Sequence, residues 1–230
     1  PDGSSTLITR GILNLSQRNG KSNPEAMIPG EVVEVMVELN HTAYVVPKGH
    51  KLRLAVSTSY WPIAWPAPTN TCLTIYSGLS LLKLPVLGKN ATTEALTDFS
   101  KNTLVEEEPT TTMREASHNR KFSFNTKQNV NVIEVKADNG KMKIKESGME
   151  MGSKSLYRFS IGESDPLSAI AEYEWEWEYG RGTWQIKTHT YTRITSDLNH
   201  FYLYAVLIAW ENNKQVFKKV WDEKFKRDHF

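Results

Sequence analysis

The chain has 230 residues, with 28 Lys and Arg against 26 Asp and Glu and a net charge of +2. That length suits one domain, or at most two small ones, and suffices to bury a core. The near-neutral balance excludes bulk electrostatic capture by nucleic acid or an anionic membrane. A chain with 23% charged and 39% hydrophobic residues is neither disordered nor collagen-like.

The single cysteine, Cys72, excludes a disulfide framework and a Cys-rich zinc site. No apolar run approaches the ~18 residues that span a bilayer. The first residues, Pro1-Asp2-Gly3-Ser4-Ser5, are polar and lack a basic-then-apolar leader. The expectation is a soluble, cytoplasmic protein. Pro1 in place of an initiator Met points to processing or to an artificial boundary.

In chain order, residues 4–16 read as a strand through Leu7, Thr9, Gly11, Leu13 and Leu15. Residues 32–39 are β-branched and partly alternating, which favours a second strand. Pro47-Lys48-Gly49 supplies a turn between strands at 42–46 and 51–58, the latter alternating Leu52, Leu54 and Val56 with Arg53, Ala55 and Ser57. Residues 73–76 and 80–86 continue the pattern. Residues 88–127 are polar and rich in Thr, Glu and Asn. They read as a long connection with a short helix near 93–98. Residues 129–147 read as two strands joined by a hairpin turn at Asp138-Asn139-Gly140.

The second half is clearer. Tyr173, Trp175, Trp177 and Tyr179 alternate with Glu172, Glu174, Glu176 and Glu178. A strand places the four aromatics on one face and the four carboxylates on the other, whereas a helix scatters both sets. Gly180-Arg181-Gly182 reads as a turn. An even-length loop there, such as Arg181-Gly182, pairs the aromatic face with Trp184, Ile186, Thr188 and Thr190. It also sets the Glu row opposite Lys187 and His189. Residues 201–210 form a further strand, 211–214 a turn and 215–223 the return, so the last strands make a meander. With no helix of 12 or more residues, the pattern predicts an all-β, two-sheet sandwich or jelly roll in one domain spanning 1–230.

Chemistry is sparse. The nearest string to a nucleophile elbow, Gly162-Glu163-Ser164-Asp165-Pro166, carries Pro where the closing Gly belongs, and reads as a Ser turn or strand entry. There is no P-loop and no dinucleotide-binding glycine fingerprint. The six histidines, at 41, 50, 118, 189, 200 and 229, show no metal-ligand spacing. His50 reads as a structural histidine tying a turn to a neighbouring loop, and Cys72 as a small buried hydrophobe. The Glu row is expected to be a solvated face balanced by Lys187 and Arg193. The aromatic row is expected to be core. In Tyr60-Trp61-Pro62-Ile63-Ala64-Trp65-Pro66, two Trp-Pro pairs make a rigid apolar loop that cannot continue a central strand. Such a loop either caps the end of the sandwich or packs on a partner domain. Tyr60, Trp61, Trp65 and His50 are the candidate interface residues. No catalytic, cofactor-binding or metal-binding residue is assigned, and no cofactor is expected.

Seven strings taken together resemble a known family. They are Pro1-Asp2-Gly3-Ser4-Ser5, Thr9-Arg10-Gly11-Ile12-Leu13, Pro47-Lys48-Gly49-His50-Lys51-Leu52-Arg53-Leu54, Ser57-Thr58-Ser59-Tyr60-Trp61-Pro62, Asp165-Pro166-Leu167-Ser168-Ala169, Gly180-Arg181-Gly182-Thr183-Trp184 and Trp221-Asp222-Glu223. In this order they resemble the C-terminal jelly-roll domain of CocE/NonD-type serine hydrolases, shared with X-Pro dipeptidyl peptidases. The resemblance covers nearly the whole chain. It implies a galactose-binding-like sandwich packed on an N-terminal α/β-hydrolase domain that holds the Ser, Asp and His of an esterase, amidase or X-Pro peptidase. None of those motifs occurs here, so the chain alone is expected to be inactive.

In the family, the Pro-Asp-Gly turn follows strands that are absent from this chain. The resemblance therefore implies a sandwich lacking its first strands, with an open edge beside residues 5–15 that a preceding fragment or a second copy fills. The alternative is a carbohydrate-binding jelly roll that stacks sugars on Trp61, Trp65 or the Trp175/Trp177 row. Exposed, coplanar rings favour the alternative, whereas buried Trp175 and Trp177 favour the hydrolase module. A metal- or ligand-binding sandwich is a third reading, and requires His and carboxylates to converge.

Overall fold

The computed structural model describes residues 3–88 and 108–228. It is all-β, with its eight strands in one antiparallel sheet, an arrangement consistent with an all-β sandwich. The strands are β1 (Thr110–Arg114), β2 (Ser117–Asn125), β3 (Val130–Ile144), β4 (Glu150–Gly162), β5 (Asp165–Arg181), β6 (Trp184–Ser196), β7 (His200–Glu211) and β8 (Lys214–Lys226). β1 and β2 lie end to end along one flank of β3, and from β3 onward each strand pairs with its successor. Two-residue turns at 163–164, 182–183 and 212–213 join most of this meander. Asn212 and Asn213 both adopt positive φ (46° and 66°), the conformation that matches the twist of tightly connected strands.

The even register at the β5–β6 turn is found. Arg181 pairs with Trp184, so the loop is Gly182-Thr183, one residue later than Arg181-Gly182. Trp175 faces Thr190, Glu176 faces His189 and Glu178 faces Lys187. One sheet face consequently carries Ile133, Val135, Tyr157, Phe159, Tyr173, Trp175, Trp177, Leu207 and Phe217, while Glu134, Arg158, the four Glu of β5, Lys187 and Arg193 share the other.

Two expectations for the middle of the chain are corrected. β1 and β2 form inside the span read as a polar connection, because a flanking strand exposed on both faces needs few apolar residues. Asp138-Asn139-Gly140 is no hairpin turn but a bulge within β3, where the register shifts between Asp138 and Lys141. Its turn chemistry bends the strand instead of ending it. Asp138 accepts the Gly140 N–H at 2.9 Å, and Asn139 reaches across to donate to Ser153 Oγ at 2.9 Å. Gly140 has φ +82°, and a Cβ there would stand 2.8 Å from the Arg114 carbonyl oxygen, so only glycine fits comfortably.

Residues 3–88 contribute no strand, and the strands expected at 4–16, 32–39, 42–46, 51–58, 73–76 and 80–86 are corrected accordingly. Strands need cross-bonds at regular intervals, and here such bonds are isolated. Asn40 N donates to Arg10 O at 2.9 Å, and Thr9 Oγ1 donates to Asn40 O at 2.6 Å. At this close approach a Cβ on Gly11 would overlap the Glu38 carbonyl. The open edge expected beside residues 5–15 thus has no strand to carry it. A 3-10 turn at Leu15–Gln17 is capped by the Asn14 side chain, which accepts from Ser16 N. The apolar alternation persists without a covering layer, leaving Leu52, Leu54 and Val56 exposed. Cys72 is also exposed, against the expectation of burial, since its segment lies outside the sheet. The helix expected near 93–98 falls outside the described residues.

Among the described residues the buried apolar side chains are Ala169 and Ala171, both on β5. The sheet has two open flanks. β8 pairs with β7 alone and bears Lys214, Lys218, Lys219, Lys224 and Lys226. The opposite flank is divided between β1 and β2, with an irregularity between Thr112 and Arg114.

Candidate functional site

The Trp-Pro loop is the best-defined feature outside the sheet. A backbone bond from Ala64 N to Tyr60 O (2.9 Å) turns the chain, and the two indoles then meet edge to face with centroids 5.1 Å apart. Trp61 packs edge-on against Phe159 of β4 at 6.1 Å, and Trp65 against Phe201 of β7 at 5.7 Å. Trp65 Nε1 donates to Ser196 Oγ at the end of β6 (3.0 Å). Further along, Asn70 Nδ2 donates to the Ser164 carbonyl in the β4–β5 turn (2.9 Å). The loop therefore caps one end of the aromatic face. Its outer side presents Tyr60, 40% exposed, and Ile63, 55% exposed. Arg10 lies 5.5 Å from the Tyr60 ring and donates to its hydroxyl at 3.4 Å.

Of the four candidate interface residues, the structure gathers Tyr60, Trp61 and Trp65. His50 stands in a separate exposed turn closed by its own N–H on Pro47 O (3.1 Å). The partners Phe159, Ser196, Phe201 and Arg227 were not singled out in the sequence. A serine at a strand end and an arginine just after a strand give no local signal of a contact 131 or 161 residues away.

The charged face consists of paired groups. Lys187 meets Glu176 at 2.9 Å, Arg158 meets Glu134 at 2.9 Å, and Arg114 meets Glu178 at 2.7 Å and Asp138 at 2.8 Å. Tyr191 donates to Glu172 at 2.6 Å. Burial, reinforced by that bond, pushes the Tyr191 phenol up to about 12. The bonds from Arg158 and Lys136 hold Glu134 below the usual carboxylate range. Burial alone would raise Asp138, but the bonds from Arg114 and the Gly140 N–H outweigh it and lower it. These pairs form a zipper of opposite charges along the face. Among the described residues no group of three or more His, Cys, Asp or Glu is placed to hold a metal.

On the opposite face Trp175, Trp177 and Tyr179 stack along β5, with centroid spacings of 5.7 and 6.1 Å and planes within 7° and 1° of parallel. Trp175 is half-buried and Trp177 is 41% exposed, so the expected full burial is met by neither ring. The rings turn their faces to one another along the strand rather than outward, which is not how a sugar platform presents them. A shallow cavity of about 350 Å³ opens at the other end of the sheet, lined by Lys141, Glu178, Gln185, Lys187, Trp210 and Asn212 among others. Its charged members are engaged, since Lys141 pairs with Glu150, Lys187 with Glu176 and Glu178 with Arg114.

Among the described residues the loop thus caps an aromatic-faced sheet whose opposite face is laced by ion pairs. A family model described as the X-Pro dipeptidyl-peptidase C-terminal non-catalytic domain matches residues 1–126. The chain belongs to that family. The match covers the whole region that contributes the Trp-Pro loop and runs to the end of β2, while β3–β8 lie beyond it. As a non-catalytic C-terminal domain, the chain has a parent catalytic domain for a partner. No curated protein and no solved structure matches the chain.

Proposed function

We propose that this non-catalytic domain is the jelly-roll domain of a CocE/NonD-type α/β-hydrolase, an esterase, amidase or X-Pro dipeptidyl peptidase. It packs on the catalytic domain and helps to wall its cleft. The observation that carries this reading is the family match over 1–126. It is supported by the lack of a nucleophile motif in the sequence and by the pairing of the charged groups among themselves. The single-domain extent, 1–230, and a cytoplasmic setting belong to the same proposal. The natural contact element is the outer side of the Trp-Pro loop, where Tyr60 and Ile63 offer an apolar surface on a scaffold fixed from below. The carbohydrate-binding alternative has the exposure of Trp177 on its side, and the face-to-face stacking of the row against it.

The purified chain should turn over neither a p-nitrophenyl ester nor an Ala-Pro-p-nitroanilide. Turnover abolished by a serine-directed inhibitor would overturn the non-catalytic role. Binding to the α/β-hydrolase domain of a family member, supplied without its own jelly roll and followed by calorimetry, should weaken when Tyr60 and Ile63 are both replaced by Ser. Undiminished binding would remove the loop from the interface.

A further inference from the structure

Where the Trp-Pro loop meets the sheet, Arg227 completes the joint. Its guanidinium donates to Ser196 Oγ at 3.0 Å, to Asp197 O at 3.2 Å and to Pro66 O at 2.9 Å. It also lies 4.7 Å from the Phe201 ring centroid, the ring on which Trp65 packs. The Ser196 hydroxyl thus accepts from both Trp65 and Arg227, and both Ser196 and Arg227 are buried, Arg227 to 7% exposure.

The turn that supports them is itself fixed. Arg227 N donates to Asn199 O at 2.7 Å, and the Asp197 carboxylate accepts from Asn199 N, His200 N and the Tyr202 hydroxyl. Those bonds, the Tyr202 bond foremost, hold Asp197 down at about 2, so it is ionised across the working pH range. A buried guanidinium is costly to desolvate, and burial pushes the Arg227 pKa down against the influence of Asp197. Such a group is tolerated where several fixed acceptors meet its planar fork, a geometry a lysine ammonium cannot reproduce.

We propose that Arg227 is a clasp that positions the Trp61–Pro66 loop on the β4–β7 end of the sheet. Residues 196 and 227 lie outside the family match and the loop lies inside it. The region that carries the family pattern is therefore held in place by residues that do not, and the two form one unit through this joint. This goes beyond the reading above, since it holds whether or not the loop also meets a catalytic domain.

Limited proteolysis of the full chain with a low-specificity protease tests it, with cuts mapped by mass spectrometry and the sheet followed by far-UV circular dichroism. Arg227→Ala and Arg227→Lys should both speed cleavage between residues 58 and 71 by roughly tenfold or more, because buried charge-assisted bonds that hold the loop closed are lost. The circular dichroism should not change. Ser196→Ala should give a smaller increase in the same segment. Parental protection in Arg227→Ala, or full protection restored by Lys, overturns the clasp. If Arg227→Ala melts the sheet as well, Ser196→Ala decides: faster cutting confined to 58–71 supports the clasp, and a parental pattern overturns it.

Discussion

Replacing Arg114 with Met removes the charge that ties three strands of the ionic face together while keeping most of the apolar stem. The guanidinium bonds Glu178 of β5 at 2.7 Å and Asp138 of β3 at 2.8 Å, from its own place at the end of β1. Its side chain is 27% exposed and its partners are comparably covered, so the pair sits between two regimes. Exposed pairs contribute about 0–1 kcal/mol, whereas breaking a buried pair costs about 3–5 kcal/mol by stranding the remaining charge. Two carboxylates stranded at intermediate depth put the expected loss at about 2–3 kcal/mol. Urea unfolding followed by fluorescence should show this as a lower midpoint at constant slope. The double variant with Glu178→Gln should be less unstable than the sum of its parts. The effect should also depend on pH with a defined sign. The folded pKa of Asp138 lies below its unfolded value of about 3.9. Its contribution is present above that value and is lost as pH falls through the folded one. The gap between parent and variant should therefore be full at pH 7 and narrower at pH 3. A loss below about 0.5 kcal/mol at pH 7, within the range of ordinary surface changes, would refute the reasoning.

Two further outcomes follow from the same sheet. Trp175→Ala should cost about 2–3 kcal/mol, less than the roughly 3–5 of a fully buried aromatic, because the indole is half-buried between Trp177 and Tyr157. A near-neutral effect in the same urea assay would favour the sugar-platform reading instead. In an alkaline spectrophotometric titration, one phenol should ionise at about 12, and Tyr191→Phe should abolish that step. Since the folded pKa lies above the usual value of about 10, the stabilisation is complete below pH 10 and is lost as pH rises toward 12. Uniform titration near 10 would show that the bond to Glu172 is not held in solution.

How much could be read beforehand depended on where each strand keeps its signal. β5 announces itself, because its aromatics and carboxylates alternate over eight residues, and from that row follow its faces, its register with β6 and the ionic zipper. β4 is nearly silent, though it lies in the middle of the sheet. Its Ser153 and Ser155 sit opposite Trp177 and Trp175, so the bulk that defines the pair belongs to the neighbouring strand. Asp138-Asn139-Gly140 was legible as turn chemistry, but local chemistry does not say whether a chain reverses or merely bends. That depends on the partners, here Ser153 across the ladder and the Arg114 carbonyl beside Gly140. In residues 32–86 the apolar alternation is partial, clearest in Leu52, Leu54 and Val56, and no ladder forms, because a periodic sequence specifies faces and not partners. At the loop, two Trp-Pro pairs pointed to a rigid apolar element. Its anchor in Ser196 and Arg227 could not be found, since it depends on contacts spanning more than half the chain.

The lysines along β8 and the break between β1 and β2 bear on behaviour in concentrated solution. A strand from another molecule adding to β8 would have to lie beside five ammonium groups, and one adding to the opposite flank would meet two short pieces in place of a long template. Each flank thus resists ribbon-like aggregation by a different means, and the two respond differently to salt. At about 0.1 M ionic strength charges are screened beyond roughly 10 Å, and at 1 M beyond roughly 3 Å. Rising salt therefore weakens the electrostatic guard on the β8 flank while the interrupted flank stays as it was.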